Sequence, residues 1–204
     1  MKKLNKGLLL ILSGPSGSGK DTVLDSLARI TPIKRSVSMT TREKRDNEAN
    51  NIDYIFVDRT YFEKCIKNED VLEYVEYSGN YYGTPKGPID KWLSEGMNVI
   101  LKIEVHGAES IKKIYPDAIS VFITPPSFKV LEKRLRNRNS DSEEDILKRL
   151  KTAEYEMTQA TKFDYLVIND QLEDAVNNLN TIINAERLKT FRIINKISEV
   201  EENA

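Results

Sequence analysis

Apolar residues in this chain follow two alternating patterns. The runs Leu8–Ser13, Asn98–Glu104, Ile119–Ile123 and Tyr165–Ile168 are of strand length and apolar almost throughout, as strands buried on both faces are. Between them, apolar residues recur every three or four positions. Val23, Leu24, Leu27 and Ile30 mark a helix over 21–30, and further helices are predicted at 89–95, 107–115, about 127–137 and 143–160. A long last helix begins at Leu172 and carries Val176, Leu179 and Ile183 on one face. Pro32, Gly96 and the Pro125-Pro126-Ser127 turn punctuate the series. Strand–helix alternation predicts an α/β fold of three layers, a parallel sheet core with helices on both faces.

Two stretches break the alternation. From Met39 to Asn51 the chain is polar and basic, with no periodic apolar face. A strand at 53–57 follows, then a helix opened by a Thr60–Glu63 capping box. Residues 71–77 alternate, and Gly79-Asn80 turns them into 81–84, so an inserted module of short antiparallel pieces is expected over 38–90. The second break, Arg134 to Arg149, is almost wholly polar and reads as a mobile lid with few apolar anchors. The predicted organisation is one domain over 1–204, with core segments 1–37, 91–124 and 161–204, the insertion 38–90 and a lid region of about 125–160.

Charge and composition narrow the partners. With 31 basic and 32 acidic residues among 204, the net charge of −1 gives no general attraction to nucleic acid or to a membrane. The longest apolar run is far too short to span a bilayer, and Met1-Lys2-Lys3 lacks the length of a signal peptide, so a cytoplasmic protein is expected. One cysteine and one histidine exclude an internal disulfide and argue against a zinc site. Cys65 is expected to be a small apolar residue on a helix.

The candidate chemistry starts where the first strand stops. Ser13 is followed by Gly14-Pro15-Ser16-Gly17-Ser18-Gly19-Lys20-Asp21-Thr22, which fits the phosphate-loop signature G-x-x-x-x-G-K-[ST] at seven of eight positions. Glycines let the main chain close around an anion, the following helix aims its positive end there, and Lys20 adds a full charge. A polyphosphate is expected in this loop. The mismatch is Asp21, a carboxylate where the hydroxyl that touches a magnesium ion usually stands.

Further segments carry a family resemblance: Ser36-Val37-Ser38-Met39-Thr40-Thr41-Arg42 with Arg45; Asp53-Tyr54; Glu73; Ser78-Gly79-Asn80-Tyr81-Tyr82-Gly83-Thr84; Ile103-Glu104 with Gly107; and Arg134-Leu135 with Arg138 and Arg149. Together with the loop they make the chain resemble the guanylate kinases from Gly7 to about Glu186. The resemblance implies transfer of a phosphoryl group from ATP, with Mg2+, to GMP and also to dGMP. It implies that Gly14 to Thr22 and Asn169 hold ATP, and that Lys20, Arg134, Arg138 and Arg149 carry the transfer. It implies further that Arg42, Arg45, Tyr54 and Tyr82 hold the GMP phosphate, that Glu73, Ser38 and Thr84 read guanine, and that Glu104 lies nearby. The residues agree: arginine forks match phosphate oxygens, and one carboxylate can accept from both guanine N1–H and N2–H₂.

The chain departs from the family pattern at Asp21, usually a small or hydroxyl residue, and at Lys102, usually an acid. Asp21 is expected to face Lys102 or to join the outer hold on magnesium waters. The lid also reads Arg138-Asn139-Ser140-Asp141-Ser142 where Gly-Thr-Glu is commoner. Two rivals stay open: a non-catalytic binding module of this fold, which the intact loop argues against, and a kinase for another small phosphorylated acceptor, which would need no guanine reader. A homo-oligomer is compatible with the helical tail bearing Leu188, Phe191, Ile194 and Ile197.

Overall fold

The computed structural model describes residues 6–137 and 142–193. Its centre is β1 (Leu9–Ser13), buried at every position. Parallel neighbours flank it on both sides: β7 (Val99–Lys102), with Leu9 opposite Val99, and β8 (Ile119–Thr124), with Leu10 opposite Ile119. With β2 (Lys34–Arg35) and β9 (Tyr165–Ile168) at the edges, the order is β2-β7-β1-β8-β9, all parallel.

The near-continuous apolar run of β1 now has its explanation, because its residues alternate between two cores. Leu8, Leu10 and Leu12 pack with Val23, Leu24 and Leu27 of α1 (Lys20–Ile30) and with Val176, Leu179 and Ile183 of α7 (Leu172–Arg187). Leu9 and Ile11 point the other way, onto Ile89 and Leu93 of α3 (Lys86–Ser94) and Ala108 and Ile111 of α4 (Val105–Ile114). The three layers read from the sequence are present. Strand 98–104 is shorter than expected: Glu104 already takes the N-cap position of α4, which starts two residues before the predicted 107.

Within the expected insertion 38–90, residues 39–85 carry a second small sheet, in the order β4-β3-β6-β5, while 86–90 belong to α3, which covers the central sheet. The members of the small sheet are β3 (Met39–Thr40), β4 (Ile55–Phe56), β5 (Val71–Tyr77) and β6 (Asn80–Pro85). The sheet is mixed rather than antiparallel throughout, since β3 and β4 run parallel. β3 lies inside the polar stretch expected to be a loop, and two residues are too few to show a period. Met39, Phe62 and Cys65 form the core between this sheet and α2 (Arg59–Lys67), so Cys65 is the small buried residue expected. The Thr60–Glu63 capping box is not formed. Asp58 caps α2 instead, its carboxylate accepting from Tyr61 N–H at 2.7 Å, while Glu63 pairs with Arg59 one turn back.

The lid expectation changes in its physical basis. α5 (Phe128–Arg136) and α6 (Glu143–Thr158) pack on each other through Leu131, Leu135, Ile146, Leu150 and Ala153, backed by Phe128. This is an apolar core of its own, hidden from a residue count because its members are spread through a charged sequence. Arg136 bridges the hairpin through Glu132 and Glu143. Leu131→Ala, which removes a fully buried side chain from this cluster, is expected to lower the unfolding free energy by about 3 kcal/mol, measured by urea denaturation. An unchanged midpoint would mean that the two helices are not packed.

Candidate active site

The loop after β1 is shaped by close approach. Gly14 has φ 139°, and a Cβ there would lie 2.0 Å from Ile123 O at the end of β8. Gly19, at φ 89°, caps α1, and a Cβ on it would meet the Asn169 side-chain nitrogen at 2.4 Å. No other residue type fits either place. The loop therefore lies flat on the ends of β8 and β9, with the first turn of α1 opening onto it. Lys20 folds back over the loop, its Nζ donating to Gly14 O at 2.6 Å and Pro15 O at 3.0 Å. Burial pushes its pKa down to about 8, opposed by the charge of Glu156.

Asp21 faces Lys102, as one of the two expected arrangements has it: Lys102 Nζ donates to Asp21 Oδ1 at 2.6 Å, and Arg35 Nη2 reaches the same oxygen at 3.4 Å. Burial works against the charge on Asp21, but the Lys102 hydrogen bond and the surrounding cations outweigh it and hold the carboxyl below its ordinary range. Among the described residues no group of three or more His, Cys, Asp or Glu could hold a metal by itself. An ionised, hard-oxygen ligand next to the loop lysine nevertheless suits a magnesium ion that arrives on phosphates and keeps most of its waters.

Beyond the loop, a cavity of about 320 Å³ is lined by Gly17, Gly19, Thr22, Arg134, Asn169, Asp170 and Leu172. Arg134, from α5, donates to Asn169 O at 2.9 Å, and the Asn169 amide donates to Ser18 O at 2.8 Å. Arg149, from α6, donates to Ser16 Oγ at 3.3 Å. The structure thus brings Arg134, Arg149 and Asn169 to Ser16–Gly19, residues scattered over more than 150 positions. Arg138 lies outside the described residues.

The module at 38–90 supplies the second set. Tyr54 and Tyr82 meet edge to face at 6.0 Å, and the Arg42 guanidinium stands over the Tyr54 ring at 5.5 Å. Arg42 donates to Glu48 Oε1 at 2.7 Å, while Glu48 Oε2 accepts from the Arg45 main-chain N–H at 2.9 Å. Arg45 itself is exposed, so of the four phosphate candidates it is the one whose side chain stands off. Glu48 was not legible as a site residue. It is one of three carboxylates in that loop, with Glu43 and Asp46, and nothing in the sequence set it apart from them.

Glu73 and Thr84 are joined, Thr84 Oγ1 donating to Glu73 Oε1 at 2.5 Å. Burial raises the Glu73 pKa, the Thr84 hydrogen bond lowers it, and the charge of Glu104 raises it again, for a net upward shift. Its other oxygen lies against α4, since a Cβ on Gly107 would be 3.3 Å from Glu73 Oε2. Ser38 accepts from Ile55 N–H through its carbonyl; its hydroxyl makes no hydrogen bond to Glu73 or Thr84 among the described residues.

One further acid stands between the two halves. Glu156 of α6 is pushed up to about 7 by burial, with attraction to Lys20 and repulsion from Glu104 acting on it. Next to it Tyr155 stacks on His106 of α4 at 5.8 Å, and Met157 Sδ accepts from Thr124 Oγ1 at 3.1 Å, so α6 ends beside the loop. Glu104 is within electrostatic reach of Glu73, Lys20 and Glu156 alike. Glu156 lay in a helix with many charges, where nothing set it apart.

Comparison with known proteins accords with this arrangement. The guanylate kinase family model matches residues 6–186. A guanylate kinase of Carboxydothermus hydrogenoformans is 47% identical over 191 residues, covering 93% of this chain and 94% of that protein. One from Thermus thermophilus is 45% identical over 188 residues, covering 92% and 86%. Among solved structures, the guanylate kinase from Anaplasma phagocytophilum superposes with a TM-score of 0.74 at 32% identity, covering 92% of this chain and 90% of that one. With a family match over most of its length and relatives above 40% identity along nearly all of it, the chain belongs to the guanylate kinase family.

Proposed function

We propose that this protein transfers the γ-phosphoryl group of ATP to the phosphate of GMP, and of dGMP, giving ADP and the nucleoside diphosphate. The observation that carries this reading is the pairing, in one fold, of a phosphate loop bearing Lys20 with a separate half-buried carboxylate, Glu73, held by Thr84. We place the reaction in the cytoplasm, within purine nucleotide metabolism. No described helix is long and apolar enough to cross a membrane.

ATP lies on Gly14 to Thr22, its base end toward the cavity beside Asn169. In an in-line displacement a GMP phosphate oxygen attacks the γ-phosphorus while its bond to the bridging oxygen of ADP breaks. Charge spreads over three oxygens, so the chain's task is position and cation supply. Lys20 exchanges the carbonyls of Gly14 and Pro15 for phosphate oxygens. Arg134 and Arg149 already stand at the loop, and Arg138 is the third arginine assigned to the transferring group. Asp21 is the oxygen ligand this chain would offer to a magnesium ion accompanying ATP, which would supply charge neutralisation for the phosphates.

On the acceptor side Arg42, Tyr54 and Tyr82 take the GMP phosphate, with Arg45 turning in from solvent. Glu48 holds Arg42 in place and must share it. Glu73 accepts from guanine N1–H and N2–H₂ while Thr84 and Ser38 face the base, and Glu104 completes the acid side of the pocket. Adenine offers Glu73 no such donor pair and would leave a half-buried carboxylate unpaired, which is strong grounds for rejection.

Three outcomes are expected. Lys20→Ala lowers kcat by at least about 10³-fold, since it removes a charge from the transferring group, with GMP affinity within about threefold by calorimetry; an ADP-release assay reads the first. Glu73→Ala lowers kcat/KM for GMP and narrows the GMP-to-AMP ratio by about 10²-fold or more, and an unchanged ratio would remove Glu73 as the base reader. The third concerns pH in the nucleotide-free protein. Because the folded state raises Glu156 to about 7, the protonated acid favours folding and that advantage fades as pH rises through 7. Because it lowers Lys20 to about 8, the opposite holds there, and stability returns as pH rises above 8. Glu156→Gln should therefore gain in melting temperature on the unmodified protein between pH 5 and 8, and Lys20→Met should lose its advantage above pH 8.

A further inference from the structure

The phosphate-loop signature ends in a hydroxyl that reaches the divalent ion, and this chain carries Asp21 there. An uncompensated carboxylate at that place would repel a polyphosphate. The structure surrounds it with cations from two strands of the central sheet. Lys102, the last residue of β7, lies 2.6 Å from Asp21 Oδ1, and Arg35 of β2 lies 3.4 Å from the same atom. Arg35 also holds Asp25 one turn along α1. Lys102 and Arg35 thus face Asp21, and Arg35 faces Asp25 as well, so the carboxylate at the head of α1 is compensated by cations of the sheet.

The same pair is built to open. The side chains of Lys102 and Asp21 stay 44% and 62% exposed, and ion pairs of that kind are worth at most about 1 kcal/mol. A divalent ion takes carboxylate oxygen among its preferred ligands. Lys102 also stands beside the loop itself, since it pairs in register with Leu12, two residues before Gly14. The ammonium therefore has two useful positions, on Asp21 without the ion and beside the phosphates with it.

We propose that Asp21 and Lys102 form an exchange pair for the divalent ion that comes with ATP. Lys102 holds Asp21 while the ion is absent, then yields it and turns toward the phosphates. Asp21 is the ligand offered to the ion, and Lys102 is a positioning residue that acts through it. This rests on the ATP reading above. Its signature is the coupling between metal and nucleotide, which a purely structural ion pair would not move.

The test is calorimetric titration of ATP, without GMP, into the protein and its variants, once in EDTA and once in excess Mg2+. The quantity read is the dissociation constant in EDTA divided by that in Mg2+. Lys102→Met should raise the ratio about tenfold, because metal-free ATP then meets a bare carboxylate that Mg2+ can still neutralise. Asp21→Asn should lower it about tenfold, because metal-free ATP gains a released ammonium and the ion loses its ligand. Lys102→Arg, which keeps the charge, should return the ratio toward that of the unmodified protein. If Lys102→Met weakens ATP equally in both buffers, Lys102 is a fixed phosphate ligand and the exchange is overturned. It is overturned too if both charge-removing variants move the ratio less than twofold or in the same direction. If the unmodified protein binds no ATP in either buffer, the ATP reading itself falls.

Discussion

A phosphate group leaves water only where donors already stand in its place, and in this molecule that requirement falls on the close approach of Gly14 to Ile123 O, where a Cβ would lie only 2.0 Å from the carbonyl oxygen. The loop can present its main-chain N–H groups in one concavity because it is pressed against the ends of β8 and β9. That contact exists because β1 is the central strand, buried on both faces and stopped at Ser13. α1 then leaves from Gly19 with its positive end on the same spot. Asn169, the residue after β9, donates to Ser18 O, and Arg134 docks on Asn169 O. Sheet order, glycine placement and the seating of the α5–α6 hairpin are thus consequences of one packing constraint.

The features legible in the sequence were those set by local chemistry. A five-residue apolar strand ending in a glycine loop can do little else, and the helical spacing of Val23, Leu24 and Leu27 follows directly from the layer they cover. Features set by tertiary contact were not legible. β3 is two residues long and is held only by its neighbours β4 and β6, so no period could reveal it. Thr60 and Glu63 satisfy the capping-box spacing, yet Asp58 captures Tyr61 N–H first because the chain enters α2 two residues earlier. The α5–α6 core hides behind charged side chains on the outer faces of both helices.

The candidate site divides the same way. Arg42, Tyr54, Tyr82, Glu73 and Thr84 are singled out by the family resemblance, with which their chemistry agrees, and the fold gathers Arg42 with Tyr54 and Tyr82 and joins Glu73 to Thr84. Glu48 and Glu156 are acids whose meaning depends on what lies opposite. Glu48 matters because it bridges Arg42 and the Arg45 main chain, and Glu156 because α6 ends beside Lys20. Sequence records that a carboxylate is present; only the packing of β3, α4 and α6 says which cation it faces.

Without nucleotide, the cations assigned to phosphate are already engaged by groups of the protein itself. Lys20 donates to the carbonyls of Gly14 and Pro15, Arg42 to Glu48, Arg134 to Asn169 O, and Lys102 to Asp21. For Lys20, whose charge is strongly desolvated, lacking a partner would cost several kcal/mol, so its carbonyl acceptors stabilise the loop between turnovers. The same acceptors set a limit on affinity, because each phosphate oxygen replaces an existing hydrogen bond rather than adding a new one. What favours the exchange is that phosphate brings full negative charge where most of the internal acceptors are neutral carbonyls, and charge-assisted bonds are roughly twice as strong as neutral ones. The argument weakens where the internal acceptor is itself a carboxylate, as at Glu48 and Asp21. At Glu48, on the function proposed above, the acceptor would stay and share its arginine with the incoming phosphate. Asp21 is half exposed beside the loop, and a carboxylate there becomes compatible with ATP only if a cation accompanies the phosphates.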